Sequence, residues 1–168
     1  MKTPICTFDA KTGILCSTCE TKLRLGHLKQ ADVEGAIKIT KLAQQNQDIN
    51  KFTMVGAAKV DDDFVLILRG SDISVLRANT MLSTKFEHEF KSKVWFVEAE
   101  ATDKRFIENL FFPLRILAVN LVWLPDGNRL TRVIIAGKGN NFELNTKIEK
   151  IKKIAKEVRN IELLVEFE

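Results

Sequence analysis

All three cysteines of this 168-residue chain lie within its first twenty residues, at Cys6, Cys16 and Cys19. Cys16 and Cys19 are separated by two residues, a spacing that lets two thiolates bind one tetrahedral metal ion. Cys6 supplies a third thiolate if the intervening chain forms a short β-hairpin with its turn at Thr12-Gly13. The spacing therefore predicts a site for one Zn²⁺ per chain in this segment.

The fourth ligand of this site has two candidates. We predict Asp9, because Cys6-x2-Asp9 repeats the gap of Cys16-x2-Cys19 and gives two matching half-sites. His27 offers a nitrogen ligand, which is more usual beside thiolates, but the chain would have to fold back to bring it there. Two readings without a metal also exist: three buried thiols, or a disulfide with a spare thiol, which the odd cysteine count disfavours.

The composition is typical of a soluble globular protein, with 45% hydrophobic and 29% charged residues. A net charge of +4 and a pI of about 9.0 permit a nucleic-acid partner, because lysine and arginine neutralise phosphates. The most apolar segment, 114–124, is too short to cross a membrane and contains Arg115. The first eight residues lack the apolar run of an export signal, so we expect a cytoplasmic protein.

Hydrophobic spacing after the cysteines predicts the order helix, strand, strand, helix, helix, strand. The first half of this pattern has helices at 30–47, after the break at 70–72 and at 79–90, and strands at 52–60, 64–69 and 94–97. The second half has helices at 103–111 and 145–158, and strands at 115–124, 130–136 and 161–167.

The two halves read as an internal repeat. The segment 65–70 aligns with 132–137, and Val94 aligns with Ile161 in the same register. We therefore predict an α+β protein with a zinc-binding hairpin at 1–29 and two units at 30–100 and 101–168, each in the order α-β-β-α-α-β.

This order resembles that of the bacterial-type, or type II, KH domain, and a tandem pair of such domains is characteristic of NusA-family transcription factors. In the second half, the segments 106–116 and 136–141 carry the resemblance. The segment 4–23 resembles archaeal members of the family, in which a zinc module precedes the KH pair and a cysteine stands where Asp9 stands here. The resemblance implies that the KH pair binds single-stranded RNA.

A KH domain grips the RNA backbone with a Gly-x-x-Gly loop between two helices. The first unit has Leu76-Arg77-Ala78-Asn79 at that place, so we predict RNA contacts from Arg77 and Asn79. In the second unit, the loop motif matches 137–140, whereas the repeat register matches 144–147. The resulting RNA-binding candidates are Lys138, Asn140, Asn141 and Lys147. Where glycine is missing, the backbone cannot approach phosphates closely, so we expect reduced RNA affinity in one or both units.

The last predicted helix is strongly basic, a pattern that fits either a solvated surface or an electrostatic contact with RNA. Trp95 and Trp123 lie in strand patterns and are expected in a core or an interface. No nucleophile, base and orienting group come together in the sequence, so we predict that the protein is not an enzyme and has no small-molecule substrate.

Two functions are compatible with the resemblance. The first is an RNA-binding transcription elongation or termination factor of NusA-like type, whose zinc module docks on a protein such as RNA polymerase. The second is a non-catalytic scaffold with degenerate KH units, attached to the ribosome or to another RNA-processing assembly.

Overall fold

A computed structural model describes residues 1–168 as eight helices and two three-stranded sheets, which confirms the α+β class. The chain divides into two compact units, Met1–Ala101 and Thr102–Glu168. The helices are α1 Thr7–Thr12, α2 Ser17–Arg24, α3 Gln30–Gln45, α4 Gln47–Asn50, α5 Gly70–Ala78, α6 Thr80–Phe90, α7 Asp103–Phe111 and α8 Phe142–Arg159. The strands are β1 Met54–Val60, β2 Asp63–Leu68, β3 Val94–Glu98, β4 Ile116–Trp123, β5 Arg129–Ile135 and β6 Leu163–Phe167. No helix combines the length and the apolarity that spanning a bilayer requires.

The cysteine segment folds as the two short helices α1 and α2, so the predicted β-hairpin is wrong. Gly13 ends α1 with a φ of +77°, a left-handed conformation that glycine adopts without strain, and its N–H donates to the Asp9 carbonyl at 2.8 Å. The Thr12-Gly13 signal therefore marks the end of a helix. Ile5, Ala10 and Cys19 belong to the same buried core as the following helices and strands, so residues 1–29 pack as part of the first unit.

From α3 onward, the first unit follows the predicted order, with the short helix α4 added after α3. Its sheet has the order β1-β2-β3, in which β1 is antiparallel and β3 parallel to the central strand β2. α3 buries Val33, Ala36 and Ile39 in the core of this unit. These residues are spaced three positions apart, so they lie on one side of the helix. α5 and α6 make the connection between the two parallel strands.

The second unit has a sheet of the same design, β4-β5-β6, with one antiparallel and one parallel pairing. The first strand of each sheet carries an irregularity at the corresponding place, at Val55 in β1 and at Leu117 in β4. This shared bulge supports the internal repeat. In the first sheet Phe64 pairs with Val94, and in the second sheet the equivalent residue Thr131 pairs with Leu163. The equivalent of Val94 is therefore Leu163, two residues beyond the predicted Ile161.

The predicted α-β-β-α-α-β order is wrong for the second unit, because only α8 connects β5 to β6. Residues 136–141 contain no helix where the first unit has α5. Gly137 has a φ of +128°, which a helix does not permit, and Gly139 approaches the Phe167 ring so closely that a Cβ would meet it at 2.8 Å. The connection therefore crosses beside the last strand before α8 begins.

The two tryptophans differ in their environments. Trp95 is buried, and its indole N–H donates to Asp63 Oδ2 at 3.1 Å. Trp123, the last residue of β4, is 65% exposed, so it lies outside the core.

Candidate functional site

The four predicted metal ligands converge in the structure. One ligand atom from each of Cys6, Asp9, Cys16 and Cys19 lies within 4.8 Å of the others. The Sγ atoms of Cys6 and Cys16 are 4.0 Å apart. Two sulfurs on one tetrahedral zinc ion are about 3.8 Å apart, given Zn–S bonds of about 2.3 Å. The group therefore fits a single tetrahedral metal ion.

Two similar helix starts bring these side chains together. Cys6 and Cys16 are the N-cap residues of α1 and α2, and both have extended backbones, with ψ of 156° and 167°. Asp9 and Cys19 are the third residues of the same helices. The side chains of an N-cap residue and of the third helical residue lie close together, as in a capping box. Each helix therefore presents two ligands.

Backbone N–H groups hold two of the ligands in place. Asp9 Oδ2 accepts a hydrogen bond from the Cys16 N–H at 2.9 Å, which connects the first half-site to the second. Cys16 Sγ accepts from the Cys19 N–H at 3.5 Å. Such contacts orient ligands and are typical of the surroundings of metal sites.

The second oxygen of Asp9 is available to bind a cation. Asp9 has no solvent exposure, and its Oδ1 atom has no hydrogen-bond partner. Leaving a buried carboxylate oxygen without a partner is costly, and a metal ion would satisfy it. The donor set of three sulfurs and one carboxylate oxygen suits a thiophilic divalent ion.

The protonation of the ligands in the absence of metal follows from their surroundings. The Cys16 N–H donates to the Asp9 carboxylate and lowers the pKa of Asp9 to about 2, against the opposing effect of burial. A hydrogen bond from the Cys6 backbone lowers the pKa of Cys19, but burial and the neighbouring Asp9 outweigh it and raise this pKa to about 12. The pKa of Cys6 is also raised, because the Asp9 side chain and burial outweigh a hydrogen bond from the Asp9 backbone.

His27 lies outside the cluster. It is exposed, follows the end of α2 and is not part of the group of converging ligands. The helices that carry the site, α1 and α2, were not predicted from the sequence. The sequence does carry a signal for these helices: each begins at a cysteine that is followed three residues later by a second ligand. For α1, a glycine at the helix end adds to this signal.

In the first unit, the predicted RNA-binding residues lie at the junction of two helices. Arg77 is in the last turn of α5, Asn79 separates α5 from α6, and both are exposed. Asn79 Oδ1 accepts from the Met81 N–H at 3.2 Å and so caps α6. An asparagine cap, and no glycine, thus stands at this helix junction.

In the second unit, Lys138, Asn140 and Asn141 lie together in the connection that precedes α8, and all three are exposed. Asn141 caps α8 by accepting from the Glu143 N–H at 2.9 Å. Lys147 is half-buried within α8, so the prediction of an inter-helix loop at 144–147 is wrong.

The basic residues of α8 are partly neutralised. Lys152 pairs with Glu149 at 3.1 Å, Lys156 pairs with Glu162 at 3.0 Å, and Arg159 pairs with Asp103 at 3.0 Å. Exposed pairs of this kind add little to stability, but they reduce the positive potential of the helix.

Comparison with known proteins identifies a related fold. No protein-family model and no curated protein matches the chain. A solved structure titled "Crystal structure of APE1850" matches with a TM-score of 0.52 and 11% sequence identity. The match covers 78% of this chain and 95% of the other, which is more of this chain than either unit contains. At this identity, the similarity concerns the fold alone.

Proposed function

We propose that Cys6, Asp9, Cys16 and Cys19 hold one structural Zn²⁺. The observation that supports this most directly is the fully buried Asp9 carboxylate, which has one oxygen without a partner beside three thiols. Four protein ligands leave no open position for a substrate or a reactive water, as is usual in structural zinc sites. The ion would connect the starts of α1 and α2, which are too short to be stable alone.

Elemental analysis of protein purified without added metal tests this proposal. We expect close to one equivalent of zinc per chain, because structural zinc is bound by about 10 kcal/mol or more. The double variant Cys16→Ser/Cys19→Ser should contain none. Less than about a tenth of an equivalent in the unmodified chain would overturn the proposal.

We further propose that the chain is an RNA-binding transcription factor of NusA-like type, with a KH-like first unit and a second unit whose sheet has the same design. The helix junction of the first unit supports this most directly, because α5, Asn79 and α6 connect two parallel strands where the resemblance has its RNA-binding loop. Arg77 and Asn79 are exposed at that junction. Arginine and asparagine side chains there could contact phosphates or base edges in place of glycine backbone.

The second unit supports RNA binding with a different loop. Lys138 and Asn140 stand on an exposed, glycine-rich connection in which backbone N–H groups accompany a cationic side chain. The sheet beneath it repeats the strand order and the bulge of the first unit. We assign this loop and Lys147 to contact with single-stranded RNA.

The metal-binding helices would contact a protein such as RNA polymerase. Three large apolar side chains of this segment are strongly exposed: Phe8, Ile14 and Leu25, at 70%, 73% and 61%. Exposed apolar side chains supply much of the energy of protein association. The zinc ion would hold the surface that carries them in one conformation.

Titration of labelled single-stranded RNA at several salt concentrations tests the RNA proposal. We expect binding at low salt that weakens steeply as salt rises, because phosphate contacts release counterions. The triple variant Arg77→Ala/Lys138→Ala/Lys147→Ala should bind much more weakly. No binding at low salt, or binding that the triple variant retains in full, would contradict the proposal.

The alternative is a scaffold that no longer binds RNA and associates with the ribosome or another RNA-processing assembly. Two observations favour it. α8 covers residues 144–147, where the repeat predicted the RNA-binding loop of the second unit. The junction between α5 and α6 in the first unit contains no glycine. A pull-down from native extract with and without nuclease separates the two functions. Retention of ribosomal subunits by a chain that fails the RNA titration would support the scaffold.

A further inference from the structure

The strand β4 presents an unpaired backbone edge. The Leu124 N–H donates to the Asn128 carbonyl at 2.8 Å at the turn between β4 and β5. Because antiparallel strands alternate between inward and outward backbone groups, Val119, Leu121 and Trp123 direct their N–H and C=O groups away from β5. β4 is the outer strand of its sheet, and these backbone groups have no hydrogen-bond partner.

The corresponding edge in the first unit is covered. Asp32 Oδ1 accepts from the Ala57 N–H of β1 at 2.7 Å, and the Lys2 carbonyl accepts from the Met54 N–H at 2.9 Å. Lys2 also forms a parallel bridge with Thr53. These contacts occupy the outer backbone groups that would otherwise accept another strand.

β4 also lacks the side chains that usually protect an edge. Its eight residues, Ile-Leu-Ala-Val-Asn-Leu-Val-Trp, include no charge and no proline, whereas the outer strands β3 and β6 contain Glu98 and Glu166. Leu117, Leu121 and Trp123 are 43%, 55% and 65% exposed. A long, apolar and uncharged edge strand favours pairing with another strand.

We propose that β4 pairs antiparallel with β4 of a second copy of this chain, centred on Asn120. In this register, Val119 and Leu121 of one copy exchange backbone hydrogen bonds with Leu121 and Val119 of the other. Asn120 faces its own counterpart, and Leu117 lies alongside Trp123 of the second copy. The two sheets would join into one of six strands, independently of any role in RNA binding.

The exposed apolar side chains of β4 favour a second copy over an unrelated peptide. In this register Leu117, 43% exposed, would lie alongside Trp123 of the second copy, which is 65% exposed, so each would cover the other. The two-fold symmetry forms this pair at both ends of the new ladder. No charge lies on β4, so the register creates no like-charge contact along the strand.

Light scattering of the full chain at increasing concentration tests the proposal. We expect the average mass to rise from 19.1 kDa toward twice that value as the protein concentration increases. The concentration should extend to about 200 µM, because so small an interface binds weakly. Leu121→Pro removes an outward N–H but takes no hydrogen bond from the β4–β5 ladder, so it should give a monomer. Leu121→Lys should also give a monomer, and it provides a second test if the proline variant misfolds.

A control variant tests the location of the interface between the two copies, and a crosslink tests its register. Val55→Lys changes the matching bulge of β1, whose edge is covered, and should leave the mass unchanged. Asn120→Cys should give a covalent dimer with oxidised glutathione, because opposite residues of a non-hydrogen-bonded pair lie about 4.5 Å apart at Cα. Asn128→Cys, in the turn, should not. A monomer at all concentrations, an unchanged dimer in both Leu121 variants, or equal crosslinking at positions 120 and 128 would overturn the proposal.

Discussion

The backbone N–H of Cys16 donates to Asp9 Oδ2 at 2.9 Å, so the start of the second helix is bonded to the carboxylate of the first. The other oxygen of that carboxylate is buried without a partner. One side chain thus joins two half-sites and also lacks one interaction that a metal ion would supply.

The first prediction concerns the fourth ligand. Asp9→Ala should reduce zinc retention strongly, because it removes a ligand and the acceptor for the Cys16 N–H. Asp9→Cys should retain zinc, since four thiolates also form a tetrahedral site. His27→Ala serves as the matched control and should leave the zinc content unchanged. A greater loss in His27→Ala than in Asp9→Ala would assign the fourth position to His27.

Proton release provides a second test. The raised pKa values of Cys6 and Cys19, the latter about 12, keep both thiols protonated at pH 7 in the metal-free protein. Asp9, with a pKa of about 2, is already ionised. Zinc binding should therefore release at least two protons, and affinity should fall as pH falls because protons compete for the thiolates. Calorimetry in buffers of different ionisation enthalpy measures this number, and a value near zero would contradict the ligand set.

Removal of the metal should destabilise the first unit. At a free zinc concentration 100 times the dissociation constant, binding stabilises the folded state by about 2.7 kcal/mol. For about 100 residues this corresponds to a decrease in Tm of roughly 10–20 °C on chelation. Thermal melts with and without a strong chelator measure the change. Cys16→Ser/Cys19→Ser should melt at the lower temperature in both conditions.

The salt dependence of RNA binding should report individual phosphate contacts. Each of the changes Arg77→Ala, Lys138→Ala and Lys147→Ala should lower the slope of log affinity against log salt by about one unit. Sequence preference should be slight, because side chains replace the close backbone approach of a glycine loop. Lys41→Ala removes a lysine that pairs with Glu89 and should leave the slope unchanged. Equal effects of all four changes would indicate a general charge effect.

The stability of the first unit should depend on Asp32. Its carboxylate accepts from the Lys29 N–H at 2.9 Å and from the Ala57 N–H at 2.7 Å, which connects the start of α3 to β1. Asp32→Ala should lower the free energy of unfolding by about 1–3 kcal/mol, because it leaves the partly buried Ala57 N–H without an acceptor. Asp48→Ala, in the first turn of α4, is exposed and should change it far less. Urea denaturation compares the two variants.

Local patterns in the sequence determined much of this architecture. The spacing of Cys6, Asp9, Cys16 and Cys19 indicated the same four residues that converge in the structure, because the two-residue gaps are a local property of the chain. Hydrophobic alternation located all six strands to within about two residues, since a half-buried strand shows its period in the sequence. The order of elements from α3 to β3, apart from the short helix α4, followed from the same local signals.

Only the tertiary structure decided the features that depend on distant contacts. Helices as short as α1 and α2 are unstable alone, and their conformation depends on packing Ile5, Ala10 and Cys19 into the core, which no local pattern reveals. The second unit lacks a counterpart of α5, since Gly137 adopts a positive φ and Gly139 packs against Phe167, a residue almost thirty positions later. The exposure of Trp123 likewise depends on β4 being an outer strand, and strand order is set by the whole sheet.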